Sequence, residues 1–120
     1  MSPKILVIDD SQLLVMMLHD ALRQQEFEVL VASDGDEGLQ MAKMDSPDLI
    51  LLDMHMPSMN GRQFLEKLKD LPIEAPIPVI VITAGEPPHD LVDNNLVRAC
   101  LRKPIQMPQL MTKINEYLAP

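Results

Sequence analysis

The residues best equipped for chemistry stand where short apolar runs end. Asp9 and Asp10 follow the first run, Asp53 closes a second, Thr83 a third, and Lys103, followed by Pro104, comes after a fourth. Gathered in one pocket, three carboxylates repel each other and raise one another's pKa. A hard cation removes that conflict, and Mg²⁺ suits a site offering a few carboxylate oxygens together with waters and phosphate oxygens. Lys103 adds a second positive charge, and Thr83 a hydroxyl donor. A carboxylate in such company is set up to attack an electrophilic phosphorus and form a covalent intermediate. The cation and the donors would stabilise the equatorial oxygens of the transferring group. His55, two residues past Asp53, sits on the rim of this site. Its backbone carbonyl could ligate the metal, and its ring could touch the phosphoryl group.

Taken singly, each residue has a plainer reading: a pair preceding a capped helix, a turn residue before Met56-Pro57, the last residue of a strand, a solvated lysine. The conjunction of all of them at run ends, in this order, favours the chemical one. His19 and His89 lack metal-ligand partners and read as solvated. The Met54, Met56 and Met59 set reads as loop packing, and Cys100 as a small hydrophobe in a buried strand.

The elements that must position these residues alternate. KILVI at Lys4–Ile8, EVLVA at Glu28–Ala32, DLILLD at 48–53, PVIVIT at 78–83 and a short segment at 100–102 read as strands. Between them lie amphipathic stretches. Ser11 can cap a helix running to about Gln25, with Leu13, Leu14, Met17, Leu18, Ala21 and Leu22 on one face. A second helix over 34–44 contains Gly35 and Gly38, which weaken it. A third runs over 63–71 after a turn from Pro57 to Gly61, and presents Phe64, Leu65, Leu68 and Leu71 inward. Pro87-Pro88 could open a helix continued over 90–98. Pro108 fits the first turn of a last helix, with Leu110, Met111, Ile114, Tyr117 and Leu118 on its face. Near-continuous apolar strands alternating with helices call for a parallel sheet covered on both faces. Right-handed crossovers make it a doubly wound α/β domain. With strand order 2-1-3-4-5, the point where the order reverses lies between strands one and three. Ligands bind there, outside the carboxyl ends of the strands.

The bulk properties exclude several function classes. The chain has 120 residues, which suits one domain over 1–120 with a real core. That core must be aliphatic, because there are two Phe, one Tyr and no Trp, with ten Met as flexible filler. A net charge of −8 opposes direct nucleic-acid contact, and no basic run suggests a membrane surface. The single Cys excludes an internal disulfide and fits a reducing, cytoplasmic setting.

These residues resemble the response-regulator receiver family over nearly the whole chain. The carriers are Ile5-Leu6-Val7-Ile8-Asp9-Asp10, Asp53-Met54-His55-Met56-Pro57-Ser58-Met59-Asn60-Gly61, Thr83-Ala84 and Lys103-Pro104-Ile105. The resemblance implies a flavodoxin-like fold of the chemotaxis-regulator type and a role in two-component signalling. Asp53 would be the phosphoacceptor. Asp9, Asp10 and Asp53, with the His55 backbone carbonyl, would bind Mg²⁺. Thr83 would move to meet the phosphoryl group, Lys103 would contact its oxygens, and Ala84 would leave the pocket open. The Lys103-Pro104 bond would be cis. A histidine kinase or phosphotransfer protein would donate the phosphoryl group, and an unidentified partner or output domain would read it. The protein would be no enzyme in the ordinary sense, assisting only its own phosphorylation and dephosphorylation.

Two departures stand out. Cys100 occupies the position where members usually carry Tyr or Phe, so the aromatic half of the usual switch is absent. Residues 85–99 are short, Pro-rich and without the usual Gly-Ala, which predicts a short or irregular fourth helix. Two other readings compete. One is a phosphorylation-independent pseudo-receiver, an interaction module that keeps the fold. The other is a haloacid-dehalogenase-type phosphatase, which would require a second Asp where His55 stands.

Overall fold

The computed structural model describes residues 2–73, 76–85 and 96–118. The apolar runs form five strands: β1 (Lys4–Ile8), β2 (Glu28–Ala32), β3 (Leu49–Asp53), β4 (Val79–Thr83) and β5 (Val97–Arg102). Four helices are described: α1 (Gln12–Gln24), α2 (Gly35–Asp45), α3 (Gly61–Lys69) and α4 (Met107–Leu118). The sheet is parallel, in the order β2-β1-β3-β4-β5, which is the predicted one. The reversal of strand order therefore falls between β1 and β3, whose register pairs Ile5 with Leu49 and Ile8 with Leu52.

Side chains alternate across the sheet because the strand period is two. Leu6, Ile8, Ile50, Leu52, Val79 and Val81 pack on one face with Ala42 of α2 and Phe64, Leu65 and Leu68 of α3. Ile5, Val7, Leu49, Leu51, Ile80 and Ile82 pack on the other, with Leu18 and Leu22 of α1 and Leu110 and Ile114 of α4. β3 and β4 are buried along their whole length. Each such aliphatic side chain contributes roughly 1.5–3 kcal/mol, so the middle of the sheet is the rigid base from which the strand ends project.

Several predicted boundaries move. β5 begins at Val97 rather than Cys100, so the helix expected over 90–98 does not extend to Val97 and Arg98. Residues 86–95, with His89 and the rest of the expected irregular fourth helix, lie outside the described residues. α3 begins at Gly61 and ends at Lys69, two residues earlier than predicted at each end. Its start is set by a capping box: Asn60 Oδ1 accepts from Gln63 N–H at 2.9 Å, while Asn60 N–H donates to Gln63 Oε1 at 3.0 Å. Leu13 and Met17 do not share the inward face of α1 with Leu18 and Leu22; they are 71% and 60% exposed. Cys100 is only partly buried, and burial pushes its thiol pKa up, which keeps it protonated and unreactive.

The glycines that weaken α2 have a packing reason. A Cβ on Gly38 would meet Ile8 Cδ1 at 2.6 Å, and one on Gly35 would collide with Met59 Sδ. Their absence of side chains lets α2 approach β1 and the loop after β3. Among the described residues, no helix is long and apolar enough to cross a membrane.

Candidate functional site

Among the described residues, three polar side chains are buried: Asp9 and Asp53, each 2% exposed, and Thr83, 1% exposed. All three lie at the carboxyl end of the sheet. Alternation explains part of this arrangement. Asp9 continues the row of Ile5 and Val7, and Asp53 the row of Leu49 and Leu51. Lys103 continues that of Ala99 and Leu101, so all three leave the sheet toward the α1–α4 side. Thr83 follows Val79 and Val81 on the opposite row. It stands one residue beyond Ile82, the register partner of Asp53.

Backbone amides fix the carboxylates. Ser11 N–H donates to Asp9 Oδ1 at 2.8 Å, and the Ser11 hydroxyl accepts from Leu14 N–H at 3.4 Å. Ser11 thus caps α1, as predicted, and also holds the first carboxylate. His55 N–H donates to Asp53 Oδ1 at 3.1 Å. The loop carrying His55 is itself anchored by Met54 N–H on Ile82 C=O at 3.0 Å and by Gly61 N–H on Met54 C=O at 3.1 Å. Met54, Met56 and Met59 are buried beneath it, so they pack the loop as predicted. Lys103 N–H donates to Thr83 C=O at 2.8 Å, extending the β4–β5 pairing by one residue. The Lys103-Pro104 peptide bond is cis.

These anchors bring the charges together. Asp9, Asp10 and Asp53 each offer one oxygen, all within 4.8 Å of one another. Lys103 Nζ lies 3.7 Å from Asp9 Oδ2 and 3.7 Å from Asp53 Oδ1. Burial pushes the Asp9 carboxyl pKa above its usual range, and the neighbouring Asp53 and Asp10 carboxylates push the same way. The Ser11 N–H and the Lys103 ammonium pull it down, but less than the other causes raise it. Among the described residues, Asp9 Oδ2 has no hydrogen-bond partner, and the compensation they give it is the lysine at 3.7 Å. A buried carboxylate oxygen without a donor is costly. A divalent cation would satisfy it and neutralise the mutual repulsion, so the donor set fits Mg²⁺.

The predicted site residues Asp9, Asp10, Asp53, Thr83 and Lys103 thus lie at one end of the sheet, and His55 lies on its rim. Three contacts were not foreseen: the His55 and Ser11 amides on carboxylates, and a polar contact between the His55 ring and Thr83. His55 Nε2 is 3.4 Å from Thr83 Oγ1. Sequence carries no signal for the amides, because every residue but proline has one. His19, also read as solvated, is half-buried and pairs with Asp20 at 3.5 Å.

Comparison with known proteins agrees with this geometry. Residues 5–115 match the response regulator receiver domain model. The chain is 40% identical over 116 residues to the response regulator PleD of Caulobacter vibrioides, covering 95% of this chain and 26% of that protein. It is 35% identical over 119 residues to protein PilH of Pseudomonas aeruginosa, covering 97% of this chain and 98% of that one. The chain thus spans about a quarter of PleD and nearly all of PilH. Among solved structures, a CheY-like response regulator receiver domain protein from Methanospirillum hungatei superposes with a TM-score of 0.87 at 27% identity. That match covers 97% of this chain and 93% of the other. A response regulator receiver domain protein from Clostridium thermocellum gives 0.81 at 31% identity, covering 97% and 94%.

Proposed function

The chain belongs to the response regulator receiver family of two-component signalling, and on that premise we propose that it is a Mg²⁺-dependent phosphoacceptor whose acceptor is Asp53. The observation that carries the reading is the buried cluster itself. Two carboxylates share one ammonium at 3.7 Å, and one buried carboxylate oxygen has no donor. A structural ion pair would leave no such oxygen unpaired.

Receiver domains in general bind Mg²⁺ and interact with histidine kinases or phosphotransfer proteins. Here Asp9, Asp10 and Asp53 would hold the ion, with the His55 backbone carbonyl as a further ligand. When bound, the ion supplies positive charge against the phosphoryl oxygens. This chain's own residues do the rest. The His55 amide holds the Asp53 carboxylate in place. An Asp53 oxygen lone pair forms the new O–P bond while the P–N bond of a phosphohistidine breaks, its electron pair returning to the donor's imidazole nitrogen. Lys103 faces both carboxylates and balances charge as the phosphoryl group arrives. Thr83 supplies a hydroxyl to a phosphoryl oxygen. The acyl phosphate so formed is the signal, read by a partner or an attached output domain. Residues 1–120 act as one receiver domain and turn over no substrate beyond their own phosphoryl group. The acidic surface, net charge −8, argues against direct nucleic-acid contact.

The test is incubation with acetyl phosphate and Mg²⁺, followed by intact-mass measurement. The wild-type chain gains one acid-labile phosphoryl group, and Asp53→Asn gains none. Equal labelling of the two chains would reject Asp53 as the acceptor.

A further inference from the structure

Among the described residues, four large apolar side chains are exposed: Leu13, Met16, Met17 and Met44. Three of them belong to α1, at spacings that put them on one face of the helix. Met16 is 64% and Met17 60% exposed. Leu13 and Met17 line a mostly apolar groove of about 310 Å³, together with Pro104, Ile105, Met107 and Lys103. Lys103 also faces Asp9 and Asp53, so the groove lies beside the carboxylate site. The methionines of the loop after β3 are placed oppositely: Met54 and Met56 are 7% exposed, and Met59 6%.

A thioether is an apolar group that a peroxide converts into a polar one, the sulfoxide. The sulfur lone pair takes one oxygen of hydrogen peroxide as the O–O bond breaks, and the other oxygen leaves as water. Sulfur gives up two electrons, and the peroxide gains them. We propose that Met16 and Met17 form a peroxide-sensitive modification site, whose oxidation turns an apolar wall of the groove beside Lys103 into a polar one. Solvent reaches both side chains, whereas burial shields the methionines that pack the Asp53 loop. Met44 is exposed as well, but it belongs to α2, which packs on the opposite face of the sheet, and it does not line this groove. Its oxidation leaves the groove as it was. The modification thus alters a surface next to the carboxylate site while the packing beneath that site stays intact. The inference stands independently of the phosphoacceptor reading.

The experiment treats the chain with dilute hydrogen peroxide and follows each methionine by peptide mass mapping. Met16 and Met17 gain one oxygen each, at least about tenfold faster than Met54, Met56 and Met59, as their exposure implies. Nile red, a neutral apolar dye, then reports on the groove. Its affinity for the wild-type chain falls about threefold or more on oxidation, because a sulfoxide must lose water to meet an apolar ligand. A chain carrying Met16→Leu and Met17→Leu, swaps that conserve volume and apolarity, binds the dye as wild type does and keeps that affinity after the same treatment. Met44→Leu loses it as wild type does. Loop methionines that oxidise as fast as Met16 and Met17 would overturn the proposal. So would an untreated chain that binds no dye, a wild-type affinity that survives oxidation, or a double variant whose affinity falls as far as that of wild type.

Discussion

The two ends of the sheet are both lined with charge, and they treat it differently. At the amino end, a cleft of about 1010 Å³ is lined by Ser2, Lys4, Arg23, Glu26, Phe27, Glu28, Ser46 and Asp48. Its lysine is satisfied: Lys4 N–H donates to Asp48 Oδ2 at 2.8 Å, and Lys4 Nζ to Asp45 C=O at 3.0 Å. At the carboxyl end, Asp9 and Asp53 are buried, share one lysine, and leave an oxygen unpartnered. That cleft is the poorer candidate. What marks a site is unrelieved electrostatic conflict in a place where solvent cannot screen it, and among the described residues the carboxyl end has that.

The contrast can be broken most sharply by removing the lysine from each end. Lys103→Ala should lower the rate of phosphoryl uptake from acetyl phosphate by about a hundredfold or more, the scale of losing a preorganised charge at a reacting centre. Lys4→Ala should leave that rate within about twofold of wild type, since a half-buried lysine at the opposite end of the sheet from the reacting atoms contributes little to it. Comparable losses in both variants would erase the distinction between the two ends.

A smaller effect sharpens the same comparison through stability. Because the Asp9 pKa is raised in the folded chain, its ionised form is disfavoured there. Its contribution to stability is present below the unfolded carboxylate pKa and is lost as pH rises through the raised folded value. At neutral pH without metal, Asp9→Asn should therefore raise the melting temperature by a few degrees, on the order of 1 kcal/mol. Mg²⁺ at about 100 times its dissociation constant should stabilise the wild-type chain by about 2.7 kcal/mol, and the variant far less. Thermal melts with EDTA and with Mg²⁺ measure both. A metal-free Asp9→Asn chain that melts below wild type would show the carboxylate cluster to be stabilising by itself.

The smallest effect belongs to the amino end. Asp48→Asn keeps an acceptor for Lys4 N–H, so its stability should stay within about 0.5 kcal/mol of wild type, with EDTA and with Mg²⁺ alike. Loss of the Mg²⁺ stabilisation in that variant would place ion binding at the wrong end of the sheet.

Much of this architecture was legible in the residues. The apolar runs at Lys4–Ile8, Glu28–Ala32, Leu49–Asp53 and Val79–Thr83 are strongly patterned, and they became strands within a residue of their expected bounds. The edge strand was harder. Val97 and Arg98 read as the end of a helix, yet they belong to β5, whose register with β4 is irregular between Val79 and Ile80. A partly exposed edge strand has a weak apolar signature, so pairing with β4 decided its length. Leu13 and Met17 misled for a related reason: the helical period identifies an apolar stripe, but how wide a stripe the sheet covers depends on how α1 lies across it.

For the site, residue type and position at strand ends were enough to nominate Asp9, Asp10, Asp53, Thr83 and Lys103, because strand alternation and order are local and topological rules. Which oxygen of each carboxylate is held, which is left unpaired, and which ring nitrogen reaches Thr83 came only from the folded chain. Those facts depend on the direction of backbone amides at Ser11, His55 and Gly85. An amide has no identity in the sequence, and its direction is set by the loops that packing fixes in space.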